Sequence, residues 1–224
     1  MPETVHKQHV ASNDGTAGRV RRAALAQILA AAEQVFAETG FNGATMAEIA
    51  EKAGLPKANL HYYFGTKEEL YRAVLANTLE MWLTPISAIC PAADPAKAIA
   101  DYVWAKMEAA RLRPYASKVF ANEILHGAGH ILDFLSNDLK TLVEEKAAVL
   151  DGWIAEGRMR PVDSKAFFFM IWAMTQHYAD FDVQIRLVLG KRQLSRNDFA
   201  YFTAEVTRAV LRVAGLEPST GEGV

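Results

Sequence analysis

From Arg19 to Ala214 apolar residues return at three- and four-residue spacing, and no stretch alternates apolar and polar residues in the period of a strand. That periodicity confines the chain to helical architectures. Leu25, Ile28, Leu29, Ala32, Val35 and Phe36 form one apolar face, and Gly40 supplies the stop. Thr45 followed by Glu48 is a capping box that opens a helix at Met46, and Gly54 closes it after about two turns. A second short helix follows Pro56 and holds Leu60 and Phe64. Thr66 and Glu69 repeat the capping pattern and open a longer helix that carries Leu70, Val74, Leu79 and Trp82 towards Pro85. Beyond it the pattern predicts helices over 95–110, 114–126, 131–157, 163–190 and 195–214, punctuated by Pro91, Pro95, Pro114, Pro161 and Gly190.

This organisation is expected to give a flexible tail over 1–18, a first helical unit over 19–65, a larger helical body over 66–216 and a C-terminal tail over 217–224. A hydrophobic share of 51% is enough for a packed core in 224 residues. One cysteine, Cys90, excludes a disulfide framework and a cysteine-based zinc site. No apolar run reaches the roughly 18–20 residues of a membrane span. With no signal-peptide core at the N-terminus, a cytoplasmic protein without cofactor is the expectation.

Residues 45–64 place two short helices around Ala53-Gly54-Leu55-Pro56, the layout of a helix-turn-helix. In that layout the second helix enters the major groove of DNA. Here it offers Lys57, Ala58, Asn59, His61, Tyr62 and Tyr63: a phosphate partner, base-edge hydrogen-bonders and aromatic surfaces. An ordinary helical hairpin has no need to expose Asn, His and two Tyr together. The net charge of -2 looks unfavourable for a nucleic-acid partner, and residues 1–78 hold eight Lys/Arg against eight Asp/Glu. Phosphate contact, however, needs only a few well-placed cations, and Arg19, Arg21, Arg22, Lys57 and Lys67 cluster in this region of the sequence.

The stretch TMAEIAEKAGLPKANLHYYFGTKEELYRAVL, residues 45–75, resembles the DNA-binding signature of TetR-family repressors. The resemblance implies an all-α, TetR-like fold: an N-terminal three-helix DNA-binding domain and a larger helical domain for ligand binding and dimerisation. It also implies that Thr45 contacts a phosphate at a helix N-terminus, that Lys57, Asn59 and His61 face the groove beside Ala58, and that Tyr62 and Tyr63 touch backbone phosphate or a thymine methyl. Lys67, at the start of the next helix, suits a phosphate as well. Pro56 departs from the family, which often has Ser or Thr there, so that position can donate no hydrogen bond.

In the body, Trp172, Gln176 and Asp180 are spaced by four and share one helix face. An unpaired buried amide costs of order 1–3 kcal/mol, so Gln176 needs a partner. One solution is a ligand that stacks on Trp172 and pairs with the amide, whose adjacent donor and acceptor complement the edge of a pyrimidine base. The other is that Gln176, His177 and Asp180 bond to one another or to a second subunit. The segments 81–85, 122–125, 138–140 and 171–181 together resemble the pyrimidine-utilisation regulators within the TetR family. That resemblance implies uracil or thymine as effector, Trp82 and Trp172 as aromatic walls, Gln176 as reader of the base, and Glu123, Tyr178 and Asp180 as further pocket residues. A homodimer on a near-palindromic operator follows, with recognition helices roughly 34–36 Å apart.

Other features give less. His126 and His130 have metal-ligand spacing, but Gly127 and Gly129 disfavour a helix between them and no third ligand is evident, so a helix end or loop is expected. Cys90 lacks a basic neighbour and reads as an idle thiol. Phe167–Phe169 read as core or dimer contact. An enzyme is disfavoured by the lack of a phosphate loop, nucleophile elbow or zinc-protease motif. A regulator of a drug or fatty acid is the other rival, and it requires a large apolar pocket.

Overall fold

A computed structural model describes residues 11–217. Its helices are α1 (Ala11–Gly43), α2 (Met46–Lys52), α3 (Lys57–Tyr63), α4 (Lys67–Leu83), α5 (Pro95–Leu112), α6 (Pro114–Leu125), α7 (Leu132–Phe134), α8 (Lys140–Ala155), α9 (Ser164–Asp180), α10 (Asp182–Val188) and α11 (Arg196–Ala214). A 3-10 turn, Thr84–Ala88, follows α4, and a π-helical turn, Leu135–Leu139, joins α7 to α8. There is no strand among the described residues, and no described helix is long and apolar enough to cross a membrane.

The chain forms two compact units, one through Val74 and one from Leu75. The division falls inside α4, beyond the Gly65-Thr66 punctuation that marks a boundary in the sequence. In the first unit, Ile28, Ala32 and Phe36 of α1 are buried with Ile49, Ala50, Leu60 and Leu70. The expected capping box is present: Thr45 Oγ1 accepts from Glu48 N–H at 3.2 Å, and Thr45 N–H donates to Glu48 Oε2 at 2.9 Å. In the second unit α5 is the central element. Ile99, Tyr102, Val103 and Met107 pack against Phe168 and Ile171 of α9 and against Val206 and Val210 of α11.

The structure departs from the sequence expectation in three places. Helix α1 begins at Ala11 rather than near Arg19; glycines lower helix stability by only about 1 kcal/mol and do not stop a helix alone. The rest of the expected N-terminal tail, 1–10, and residues 218–224 of the C-terminal one lie outside the described residues. The helix expected over 131–157 contains the π turn, where Ser136 Oγ donates to Leu132 O and Asn137 Nδ2 to Asp133 O. Short polar side chains there compete for carbonyls that a regular α-helix would bond. The helix expected over 163–190 breaks at Phe181 (φ -114°, ψ 28°), with no glycine or proline to announce it. Ser117 Oγ donates to Asp180 Oδ1 at 2.5 Å and Lys118 Nζ to Asp182 Oδ1 at 2.6 Å, so α6 holds the chain on both sides of the break.

Gly40 (φ 71°) interrupts the helical conformation inside α1, as the sequence predicts. Two other glycines separate conformational cost from crowding. Gly54 (φ 64°) has only Gln27 Nε2 at 3.9 Å from the position a Cβ would take, whereas at Gly215 (φ 67°) the Cβ of Arg160 is 2.8 Å away. Gly54→Ala is expected to cost about 1–2 kcal/mol, the left-handed penalty alone. Gly215→Ala is expected to cost more, because backbone must also shift; denaturant melts of the two variants give the comparison.

Candidate functional site

Helix α3 buries only Leu60; Lys57, Ala58, Asn59, His61 and Tyr62 are exposed and Tyr63 is half-buried. Tyr62 is 78% exposed, with Tyr63 set edge-on to it at 5.4 Å between centroids. The polar side chains of Lys57, Asn59 and His61 make no hydrogen bond or ion pair with any described residue. Pro56 stands at the N-cap with φ -57° and ψ 139°, and its carbonyl accepts from Asn59 N–H at 2.9 Å. The turn before it is braced by Gln27, whose Nε2 donates to Ala53 O at 2.6 Å. A rigid short helix thus presents one buried leucine inward and a polar, aromatic surface outward.

Thr45 is exposed beside this surface, but its hydroxyl also donates to Glu48 Oε2 at 2.9 Å. Lys67 is placed differently from the sequence expectation. Its ammonium donates to Phe41 O at 2.7 Å and Ala44 O at 2.9 Å, and lies 4.6 Å from the Phe41 ring centroid. It ties the start of α4 to the end of α1, where carbonyls lack helical partners.

In the body, Trp82 is 6% exposed, and the Lys106 ammonium sits 4.1 Å from its ring centroid. Phe120 meets the same indole edge-on at 4.8 Å. Trp172 Nε1 donates to Tyr102 Oη at 2.9 Å. Tyr102 and Lys106 are one turn apart on α5, and Trp172, Gln176 and Asp180 are successive turns of α9, so two polar stripes of packed helices run side by side. Gln176 is half-buried and makes no hydrogen bond with any described residue.

Lys106 is 4% exposed and has no hydrogen-bond acceptor among the described residues. Burial lowers its ammonium from the usual lysine range to about 7, against the opposing pull of the Asp180 charge. Burial raises the Asp180 carboxyl, opposed by the Ser117 hydroxyl and by the charges of Lys106, Lys118 and His177. Burial likewise pushes the Tyr102 phenol up to about 12, with the Trp172 N–H opposing.

The structure therefore associates Trp82, Trp172 and Asp180 with α5 and leaves two predicted pocket residues elsewhere. The Glu123 carboxylate accepts from His130 N–H at 2.7 Å and bonds His130 Nδ1 at 3.1 Å, bracing the loop after α6. Within that loop Gly127 and Ala128 have positive φ, and His126 is the helix C-cap. Tyr178 stacks on Phe202 of α11 at 4.7 Å and lines a separate cleft of about 400 Å³ with Tyr115, Lys118 and Arg186. Its phenol is raised by burial and by the nearby Glu205 and Tyr201. Of the phenylalanine run, Phe167 and Phe168 are core, and Phe169 is 56% exposed.

Tyr102, Lys106 and Ser117 were not singled out from the sequence. Lys106 did leave a trace: it interrupts the apolar stripe of Tyr102, Val103, Met107 and Ala110, a position that commits its charge to the interior.

Residues 28–74 match the family described as bacterial regulatory proteins, tetR family, and residues 75–217 match the C-terminal region of YcdC-like proteins. The chain is 41% identical over 206 residues to the HTH-type transcriptional regulator RutR of Escherichia coli K12, covering 91% of this chain and 96% of the relative. It is 29% identical over 134 residues to the HTH-type transcriptional repressor NicS of Pseudomonas putida, covering 59% and 62%. Among solved structures, the ketosteroid transcriptional regulator KstR2 of Mycobacterium tuberculosis superposes with a TM-score of 0.68 at 20% identity, over 84% of this chain and 93% of that one. That likeness carries the fold alone. The relatives are transcription regulators, not enzymes.

The buried lysine sets a pH signature. Its folded value lies below the usual 10.5, so the unfolded chain binds more protons between about 7 and 10.5. Stability from this group is present above that window and is lost as pH falls through it. Lys106→Met is therefore expected to gain stability relative to wild type most at pH 7, with the difference shrinking towards pH 10, as read from denaturant midpoints.

Proposed function

We propose, for a chain that belongs to the TetR family of bacterial regulatory proteins, that it is a repressor released from a near-palindromic operator by uracil or thymine. The DNA half of this reading rests on α3, whose Lys57, Asn59, His61, Tyr62 and Tyr63 are displayed around a single buried leucine. Lys57 and the exposed Arg19, Arg21 and Arg22 supply phosphate partners, Thr45 adds a hydroxyl at the N-terminus of α2, and the groove-facing amide and imidazole supply base contacts. Lys67 acts by holding α4 against the end of α1, so that the phosphate contacts fall to the exposed groups.

The observation that carries the effector half is the free Gln176 amide, one turn from Trp172 and one turn from Asp180 on α9, within the segment that resembles pyrimidine-utilisation regulators. A planar base can satisfy its donor and acceptor together. Helices α5, α6 and α9 carry Lys106, which is 4% exposed, and the Ser117–Asp180 pair, polar groups that give this part of the interior a charged character unsuited to an aliphatic cargo. This favours a small polar ring over a drug-like or fatty-acid effector.

We assign the operator symmetry to a homodimer. Phe169 on α9, Phe181 after it, and Tyr201 and Val213 on α11 are exposed apolar groups of the kind a second copy covers. Effector release follows from a difference in pyrimidine affinity between DNA-competent and DNA-incompetent conformations. A shift from 1:99 to 99:1 requires about 5.5 kcal/mol of differential affinity. Helix α4 carries residues of both functions, with Lys67 on its first turn and Trp82 on its last.

Three outcomes are expected. Operator DNA binds in a gel-shift assay and is released by titrated uracil or thymine; unchanged binding at saturating pyrimidine would remove the effector reading and leave the DNA reading standing. Gln176→Leu keeps operator affinity and loses the pyrimidine response. Lys57→Ala weakens binding to all sequences and lowers the slope of log affinity against log salt by about one contact, as anisotropy titrations over salt will show.

A further inference from the structure

The cleft that Tyr178 lines lies apart from the groups assigned to the effector: Trp82, Lys106, Trp172 and Gln176 are not on its walls. Its volume of about 400 Å³ suits a small organic ligand. Its charged walls are Arg111 in the last turn of α5, Lys118 on α6, Asp182 and Arg186 on α10, and Arg192 in the segment before α11. Four cations thus share the cleft with one carboxylate.

The pairing of these charges leaves donors over. Asp182 accepts from Lys118 Nζ through Oδ1 at 2.6 Å and from Arg186 Nε through Oδ2 at 3.0 Å. Burial raises its carboxyl, but the two cations outweigh burial and hold it below the usual range, so it stays an anion shared between them. Arg111 is paired with Glu108 at 2.8 Å. Arg192 makes no side-chain hydrogen bond or ion pair with any described residue. With Glu108 counted beside Asp182, four cations still face two carboxylates, an excess of two positive charges. Arg186 keeps its Nη2 protons and the Lys118 ammonium two of its three for a ligand.

The segment that carries Arg192 is anchored. Arg186 Nη1 donates to Arg192 O at 2.9 Å, Lys191 N–H donates to Arg186 O at 2.8 Å, and the Lys191 ammonium pairs with Asp198 on α11. The remaining walls include Tyr115, Tyr178, Leu194 and Phe199, so ring surface stands beside the cations. Neither tyrosine hydroxyl bonds a described residue. Burial, with Glu205 and Tyr201, raises the Tyr178 phenol, which keeps it a donor at neutral pH. Glu205 is itself paired with Arg208 at 2.6 Å.

We infer that this cleft is a second ligand site and that it binds a phosphate monoester of mononucleotide size, with the phosphate on Lys118, Arg186 and Arg192 and a planar ring against Tyr115 and Tyr178. A phosphate monoester carries about -1.5 to -2 charges at pH 7, which matches the excess of two, whereas a carboxylate leaves one positive charge over. Guanidinium groups suit phosphate oxygens because their fork donates two parallel bonds. A tyrosine ring accepts any base by stacking, so the site selects for the phosphate and for size more than for the base.

The test is isothermal titration calorimetry on the full chain with AMP, adenosine and inorganic phosphate at one salt concentration. Wild type should bind AMP, with adenosine and inorganic phosphate each weaker by about ten-fold or more. Arg192→Gln should weaken AMP about ten- to a hundred-fold, the loss of one charge-assisted contact, and leave adenosine unchanged. Tyr115→Ala should weaken AMP and leave inorganic phosphate unchanged. Both side chains are exposed, so both variants should keep the melting temperature and operator affinity of wild type. Lys57→Ala should bind AMP as wild type does. No binding of AMP by wild type, adenosine or inorganic phosphate bound as tightly as AMP, or AMP affinity unmoved by Arg192→Gln would overturn the inference. So would an equal loss of AMP in Lys57→Ala, or a fall in operator affinity in Arg192→Gln, which would assign these cations to DNA. None of these outcomes bears on the pyrimidine reading.

Discussion

A helix packed on most sides cannot turn a polar group towards water. Helix α5 meets the 3-10 turn after α4, and also α6, α9 and α11, so every polar atom on its inward face must be satisfied within the body. Its apolar residues answer this by close packing with α9 and α11. Tyr102 answers it with the Trp172 indole N–H. Lys106 answers it through the face of Trp82 and the field of Asp180. The register between α5 and α9 is thereby fixed by polar groups as well as by volume.

The first unit was largely legible because its signals are local. A capping box needs only Thr45 and Glu48, a helix stop only Gly40, and the exposure of α3 follows from a run with one apolar anchor, Leu60. The body is different. The Trp172–Tyr102 bond joins residues 70 positions apart and the Ser117–Asp180 bond residues 63 apart, so neither leaves a local pattern. The break at Phe181 is invisible for the same reason, being held from α6 rather than encoded by glycine or proline. Spacing by four correctly put Trp172, Gln176 and Asp180 on one face, yet Tyr178, two residues from Gln176, turns to α11, and Glu123 is engaged by its own loop.

Net charge is a poor guide to where the first unit displays positive groups, because its cations serve different ends. Lys67 is consumed by carbonyl oxygens, Arg72 pairs with Glu68 at 2.8 Å, and Arg22 donates to Gly18 O. Lys57 and Arg21 are exposed without a partner among the described residues. A unit can balance its acids and bases overall and still present uncompensated positive groups where a polyanion meets it.

Ser117 and Lys118, neighbours on α6, grip Asp180 and Asp182, which flank the break between α9 and α10. One point of attachment leaves a segment free to swivel about it; two remove that rotation. The heading of α10 is thus dictated by a clasp more than sixty positions away in sequence, and not by the residue at the corner itself, Phe181. Loss of either aspartate would restore that swivel, so the two bonds act on the direction of α10 as one device.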